Sequence, residues 1–117
     1  MKRDWDLVRD ILLRVEDLSS NQNLTLSHFS DKDLYLVSYH VKMLCEAGLI
    51  NANIVNDLST QPSQFFVSGL TLSGHEFLDA IRVESIWTKT KAYFKTNGGV
   101  MIFETIKEVA LNMLSNH

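Results

Sequence analysis

Between residues 4 and 17, Leu7, Val8, Ile11, Leu12 and Val15 recur at three- and four-residue spacing and form one apolar stripe, which predicts an amphipathic helix. Ser19-Ser20-Asn21-Gln22-Asn23 breaks it with a polar turn. Leu24-Thr25-Leu26-Ser27-His28-Phe29 alternates apolar and polar residues and predicts a short half-buried strand. Ser30-Asp31-Lys32-Asp33 has capping-box spacing and predicts a helix start. The helix is expected to run to about Ala47, with Gly48 just past its end, where left-handed backbone costs least. At about 100° per residue, Val41 and Leu44 fall within about 40° of Val37 on the core side. Tyr35, Tyr39, Lys42 and Glu46 fall on the opposite side.

Leu49 to Asp57 reads as a strand rich in Ile, Val and Asn. A polar loop with the only proline, Pro62, connects it to a returning strand from Gln64 to Thr71, which makes a hairpin. Ser73-Gly74-His75-Glu76 has capping-box spacing before Phe77 and Leu78 and predicts a helix to about Asn97, broken near Glu84-Ser85 and stopped by Gly98-Gly99. A last helix is predicted over 103–115, with Phe103, Ile106, Val109, Ala110, Met113 and Leu114 on one side. The fold class is therefore α+β. Helix, short strand, helix and hairpin, in that order, is the layout of a winged helix, the hairpin being the wing. We expect a single domain over 1–117, with a core of 1–82 and a helical extension of 83–117.

The segment from Tyr39-His40-Val41 to Ala47-Gly48-Leu49-Ile50 resembles the end of the recognition helix in winged-helix regulators. Leu70-Thr71-Leu72-Ser73-Gly74-His75 resembles the exit from the wing. Together with Met1-Lys2-Arg3-Asp4, Glu76-Phe77-Leu78-Asp79-Ala80, Trp87-Thr88-Lys89-Thr90-Lys91 and Gly98-Gly99, these segments are similar, in the same order and over nearly the full length, to one family of bacterial and prophage proteins known only as a domain of unknown function. The resemblance implies a winged-helix-like fold. It brings no activity, so no catalytic residue transfers. Leu72 stands where the pattern has an aromatic residue, often Trp, which bears on local packing.

Composition narrows the class. Of 117 residues, 45% are apolar and 21% charged, as in a globular domain, and no apolar run approaches the ~18–20 residues of a membrane span. The charged start, Met1 to Asp6, is not that of a secretory signal. A single cysteine, Cys45, excludes an internal disulfide and suits a reducing compartment, so a cytoplasmic location is expected. The net charge of −3 is unevenly spread. Residues 18–81 hold two cations against six carboxylates, whereas 82–117 hold five cations against three.

The winged-helix layout leads first to the expectation of a small DNA-binding transcriptional regulator acting as a dimer, and the charge distribution bears on it. If the second helix enters a major groove of double-stranded DNA, Tyr35, Ser38, Tyr39 and Lys42 face the duplex, and Lys89 and Lys91 supply further cations. Against this, Glu46 shares the face, no Arg or Asn lies on it, and residues 51–64 contain Asp57 and no cation. The alternative is a protein-interaction module that keeps the winged-helix shape without binding DNA. The last helix offers a homodimer interface through Ile102, Phe103, Ile106, Val109 and Met113. No metal or cofactor is expected: the four histidines, His28, His40, His75 and His117, lack helical ligand spacing. His40 reads as a hydrogen-bonded structural residue. His75-Glu76 diverge by about 100° around a helix, Cys45 lacks a nearby cation, and Gly98-Gly99 lacks the context of a phosphate loop, so no enzyme is expected.

Overall fold

A computed structural model describes residues 1–55 and 61–116. Asp4 starts the first helix, α1 (Trp5–Glu16), its carboxylate accepting the otherwise orphaned Leu7 N–H at 3.1 Å. The apolar stripe is buried as its spacing predicts, with Ile11 and Leu12 fully inaccessible. Each such aliphatic side chain contributes roughly 1.5–3 kcal/mol by leaving water.

The predicted strand at 24–29 is only β1 (Leu24–Thr25), and Leu26–Phe29 turns into a 3-10 helix. The Thr25 N–H donates to His28 Nδ1 at 2.9 Å, and a three-residue repeat buries Leu26 and Phe29 together. The next helix, α2 (Leu34–Glu46), begins later than the capping box at Ser30 predicts. Asp33 is itself the cap, its carboxylate accepting from the Tyr35 and Leu36 N–H groups. Val37, Val41 and Leu44 are buried as expected, and Gly48 ends the helix with φ 78°.

Strands β2 (Ile50–Ile54) and β3 (Phe65–Leu70) form the hairpin, and β1 pairs with the other edge of β3. The sheet is antiparallel with order β1-β3-β2. Its register runs from Ile50 opposite Leu70 to Ile54 opposite Phe65, shifting between Asn51 and Ala52. The end of the predicted first hairpin strand and the start of its loop lie outside the described residues. Helix α1 rests on β3 and α2.

Helix α3 (Leu72–Ile81) starts before the predicted Ser73 cap. The cap is Thr71, whose hydroxyl accepts the Gly74 N–H at 3.0 Å. The chain breaks at Arg82–Val83, slightly ahead of the expected position, and resumes as α4 (Glu84–Asn97). Gly98 and Gly99, with φ 74° and 96°, stop it as predicted. The last helix, α5 (Phe103–Ser115), has the predicted bounds and packs on α4. The Thr105 hydroxyl closes its start, accepting from the Ile102 N–H and donating to the Val100 carbonyl.

The described residues thus hold five α-helices, one 3-10 helix and one three-stranded sheet. The chain divides into two compact units, Met1–His75 and Glu76–His117. Among the described residues no helix is long and apolar enough to cross a membrane.

Candidate interaction face

The face of α2 opposite Val37, Val41 and Leu44 is open. Tyr35 is 50% exposed and Tyr39 38%, and Lys42 and Glu46 are also exposed. Tyr39, Lys42, Met43 and Glu46 line a shallow recess of about 190 Å³. Lys42 has no ion-pair partner among the described residues. At the helix start the acids Asp31 and Asp33 are exposed, and Asp33 is occupied as the cap. The face therefore presents two phenols, one cation and one carboxylate, with further carboxylates at the helix N-terminus.

Ser38 does not belong to that surface. It is buried, and its hydroxyl donates to the Ser63 carbonyl at 2.7 Å, tying α2 to the segment before β3. The expectation that Ser38 faces a duplex is therefore corrected: at the margin of the helical wheel its side chain turns inward to an acceptor 25 residues away. His40 is structural, as its setting in the sequence predicts. It is fully buried, accepts the Asp4 N–H at Nε2 and donates from Nδ1 to the Leu36 carbonyl, each at 2.8 Å. Cys45 is half-buried, its sulfur 3.7 Å from the Ala52 carbonyl oxygen.

The two segments that resemble a helix exit and a wing exit meet in one joint. The Thr71 hydroxyl donates to the Gly48 carbonyl at 2.6 Å, and the Thr71 N–H donates to the Leu49 carbonyl at 3.0 Å. Gly74 lies so close that a Cβ there would run into the Leu49 carbonyl oxygen. Gly48 supplies the left-handed turn, Thr71 the bridging hydroxyl and Gly74 the clearance. The motifs are thus accounted for by backbone geometry. Leu72 is 76% exposed, so its difference from the expected aromatic leaves no gap in the core.

Cations in this unit are mostly engaged or outnumbered. Arg14 stacks 4.5 Å from the Phe29 ring centroid, donates to the His28 carbonyl and pairs with Asp10 at 3.2 Å. Lys32 lies 4.0 Å from the same Asp10 carboxylate. Met1–His75 holds six Lys and Arg against nine Asp and Glu.

Lys89 and Lys91 belong to the second unit and occupy different sides of α4. Lys89 is exposed, whereas Lys91 is half-buried with its ammonium 5.5 Å from the Trp87 ring centroid. Of the expected dimer residues, Ile106 is fully buried and Phe103 stacks edge-on against Phe77 with centroids 5.1 Å apart. Ile102 is half-buried. Val109 and Met113 line a recess of about 410 Å³ between α4 and α5 with Lys89, Tyr93, Asn112 and Asn116. Sequence periodicity finds the apolar side of α5 but not this recess, which two helices build jointly. Among the described residues no group of three or more His, Cys, Asp or Glu is placed to hold a metal ion.

Residues 2–100 match the family described as Hypothetical protein (DUF2513). The chain belongs to that family. It is also 38% identical over 116 residues to an uncharacterized protein of Haemophilus influenzae (strain ATCC 51907 / DSM 11121 / KW20 / Rd), covering 98% of this chain and 97% of the relative. No solved structure matches the chain. Family membership, like the Gly48–Thr71–Gly74 joint, brings no activity with it.

Proposed function

We propose that this member of the DUF2513 family is a non-catalytic winged-helix module that docks on another protein through the open face of α2. The observation that carries the reading is the chemistry of that face. Tyr35 and Tyr39 offer rigid aromatic area with polar ends, the kind of side chain enriched where proteins meet. Lys42 and Glu46 cancel in charge, and Asp31 and Asp33 stand at the helix start. A duplex would need cations there, because phosphate neutralisation supplies most non-specific affinity. The winged-helix assignment is supported by the run from α1 through β1, α2 and the hairpin and by the strand order β1-β3-β2. A cytoplasmic setting goes with the lone, unpaired Cys45.

The same topology favours one other reading, duplex DNA bound by α2 through Tyr35, Tyr39 and Lys42. Two measurements separate the readings. Affinity capture from cells that carry the chain is expected to recover a stoichiometric partner with wild type and lose most of it with the Tyr35→Ala/Tyr39→Ala variant. Equal recovery by both, or no partner, sinks the protein reading. An anisotropy titration against random-sequence duplexes at low salt is expected to show no binding at tens of micromolar. Tighter binding that Lys42→Glu abolishes would install the DNA reading instead.

A further inference from the structure

The recess lined by Lys89, Tyr93, Asn112 and Met113 does not end at Tyr93. A second recess of about 360 Å³ begins there and runs past Asn97 and Gly98 to Glu108. The two share Tyr93, Val109 and Asn112, so they form one furrow along α4 and α5. Its middle is open and combines Tyr93, 44% exposed, and the half-buried Val109 with the uncharged amide of Asn112. Its ends carry opposite charge. Lys89 lies one helical turn, about 6 Å, before Tyr93. Glu108 lies at the far end, beside the glycine stop. Neither Lys89 nor Glu108 has an ion-pair partner among the described residues.

We propose that the furrow is the interface for a second copy of this chain, related by a two-fold axis passing near Tyr93. The argument is self-complementarity. A two-fold contact sets the same surface against itself in reverse, so it joins the cationic end of each furrow to the acidic end of the other. Lys89 of one copy then meets Glu108 of the other, twice, and the two Tyr93 rings meet at the centre. A surface of one sign throughout would repel its own copy, whereas this one, positive at one end and negative at the other, attracts it. The interface uses Val109 and Met113 and leaves Ile106 and Phe103 to the unit's own packing. It shares no residue with the α2 face, so this inference stands or falls without the proposed function.

The test is a charge swap read by sedimentation equilibrium. Wild type is expected to dimerise in the micromolar range. Lys89→Glu and Glu108→Lys are each expected to weaken the dimer about tenfold or more, by placing like charges at both contacts. The double variant K89E/E108K is expected to recover most of the loss. Both side chains are exposed, and circular dichroism checks that each variant keeps its helices. A wild type that stays monomeric at about 200 micromolar overturns the proposal. So does a dimer that neither single reversal weakens, or a double variant no better than the singles.

Discussion

The two units use their polar side chains differently. In Met1–His75 the decisive bonds are long in sequence: His40 to Asp4, Ser38 to Ser63, Thr71 to Gly48 and Arg14 to His28. Each joins one element to the backbone of another. In Glu76–His117 the hydroxyls and amides mostly serve their own helix: Thr90 to Ile86, Asn97 to Tyr93 and Ser115 to Asn112. Among the described residues the exposed Lys107–Glu76 pair, at 3.4 Å, and the contact of Thr90 with the Met113 sulfur, at 3.7 Å, are the long-range exceptions. The first unit spends its distinctive residues on holding register, which is why its most recognisable motifs map to a joint. The second unit is held chiefly by apolar contact and leaves Lys89 and Glu108 without an ion-pair partner among its described residues.

The contrast breaks most severely at Gly74. Gly74→Ala puts a methyl group against the Leu49 carbonyl, a backbone atom that moves only if the helix exit or α3 moves with it. Overpacking of this kind costs about 3 kcal/mol, a loss on the order of 10 °C in midpoint for a chain of this size. Thermal denaturation followed by circular dichroism measures it, with the exposed neighbour Ser73→Ala as the comparison. A shift no larger than that of Ser73→Ala would mean that the joint is slack.

The same residues show what a sequence can and cannot say. The stripe of α1 and the inward set Val37, Val41 and Leu44 were legible because a helical period repeats often enough to be unambiguous. Leu24 to Phe29 was not, since the spacing of Leu26 and Phe29 suits an alternating strand in part and a three-residue turn in full. Both misplaced caps have one cause. Two good acceptors stand close together at each start, Ser30 and Asp33 at one and Thr71 and Ser73 at the other, and which of them starts the helix depends on neighbours. Asp33 wins because its carboxylate reaches two N–H groups. Thr71 wins because its hydroxyl also reaches Gly48, 23 residues earlier. For the site, the helical wheel located Tyr35, Tyr39 and Lys42 on the open face. Ser38 and the α4–α5 furrow depend on partners that periodicity does not contain.

A smaller effect is expected at Thr71. Thr71→Val keeps the shape and removes one hydroxyl that donates to Gly48 and accepts from Gly74. Two backbone groups of different elements lose a partner together, and of the two residues Gly48 is exposed whereas Gly74 is buried. The cost is about 1–2 kcal/mol. A urea midpoint read by tryptophan fluorescence would show it. No measurable loss would mean that the Thr71 N–H bond to Leu49 holds the joint alone.

The least disruptive change is the same one in the other unit. Thr90 is fully buried, and its hydroxyl donates to the Ile86 carbonyl at 2.7 Å. That carbonyl lies one turn back in the same helix, where the backbone already supplies a donor, so the hydroxyl bond is additional. Thr90→Val leaves no backbone group orphaned and replaces the hydroxyl with a methyl of nearly the same size. Its expected effect is within about 0.5 kcal/mol in either direction, because the lost bond is offset by not having to bury a hydroxyl. The other contact of Thr90 is the Met113 sulfur on α5, at 3.7 Å. If Thr90→Val instead costs about 2 kcal/mol in the same urea titration, that sulfur contact ties α4 to α5, and the second unit too would rest on a polar bond between elements. The Thr71 and Thr90 variants, identical in chemistry, therefore measure the difference between the two units directly.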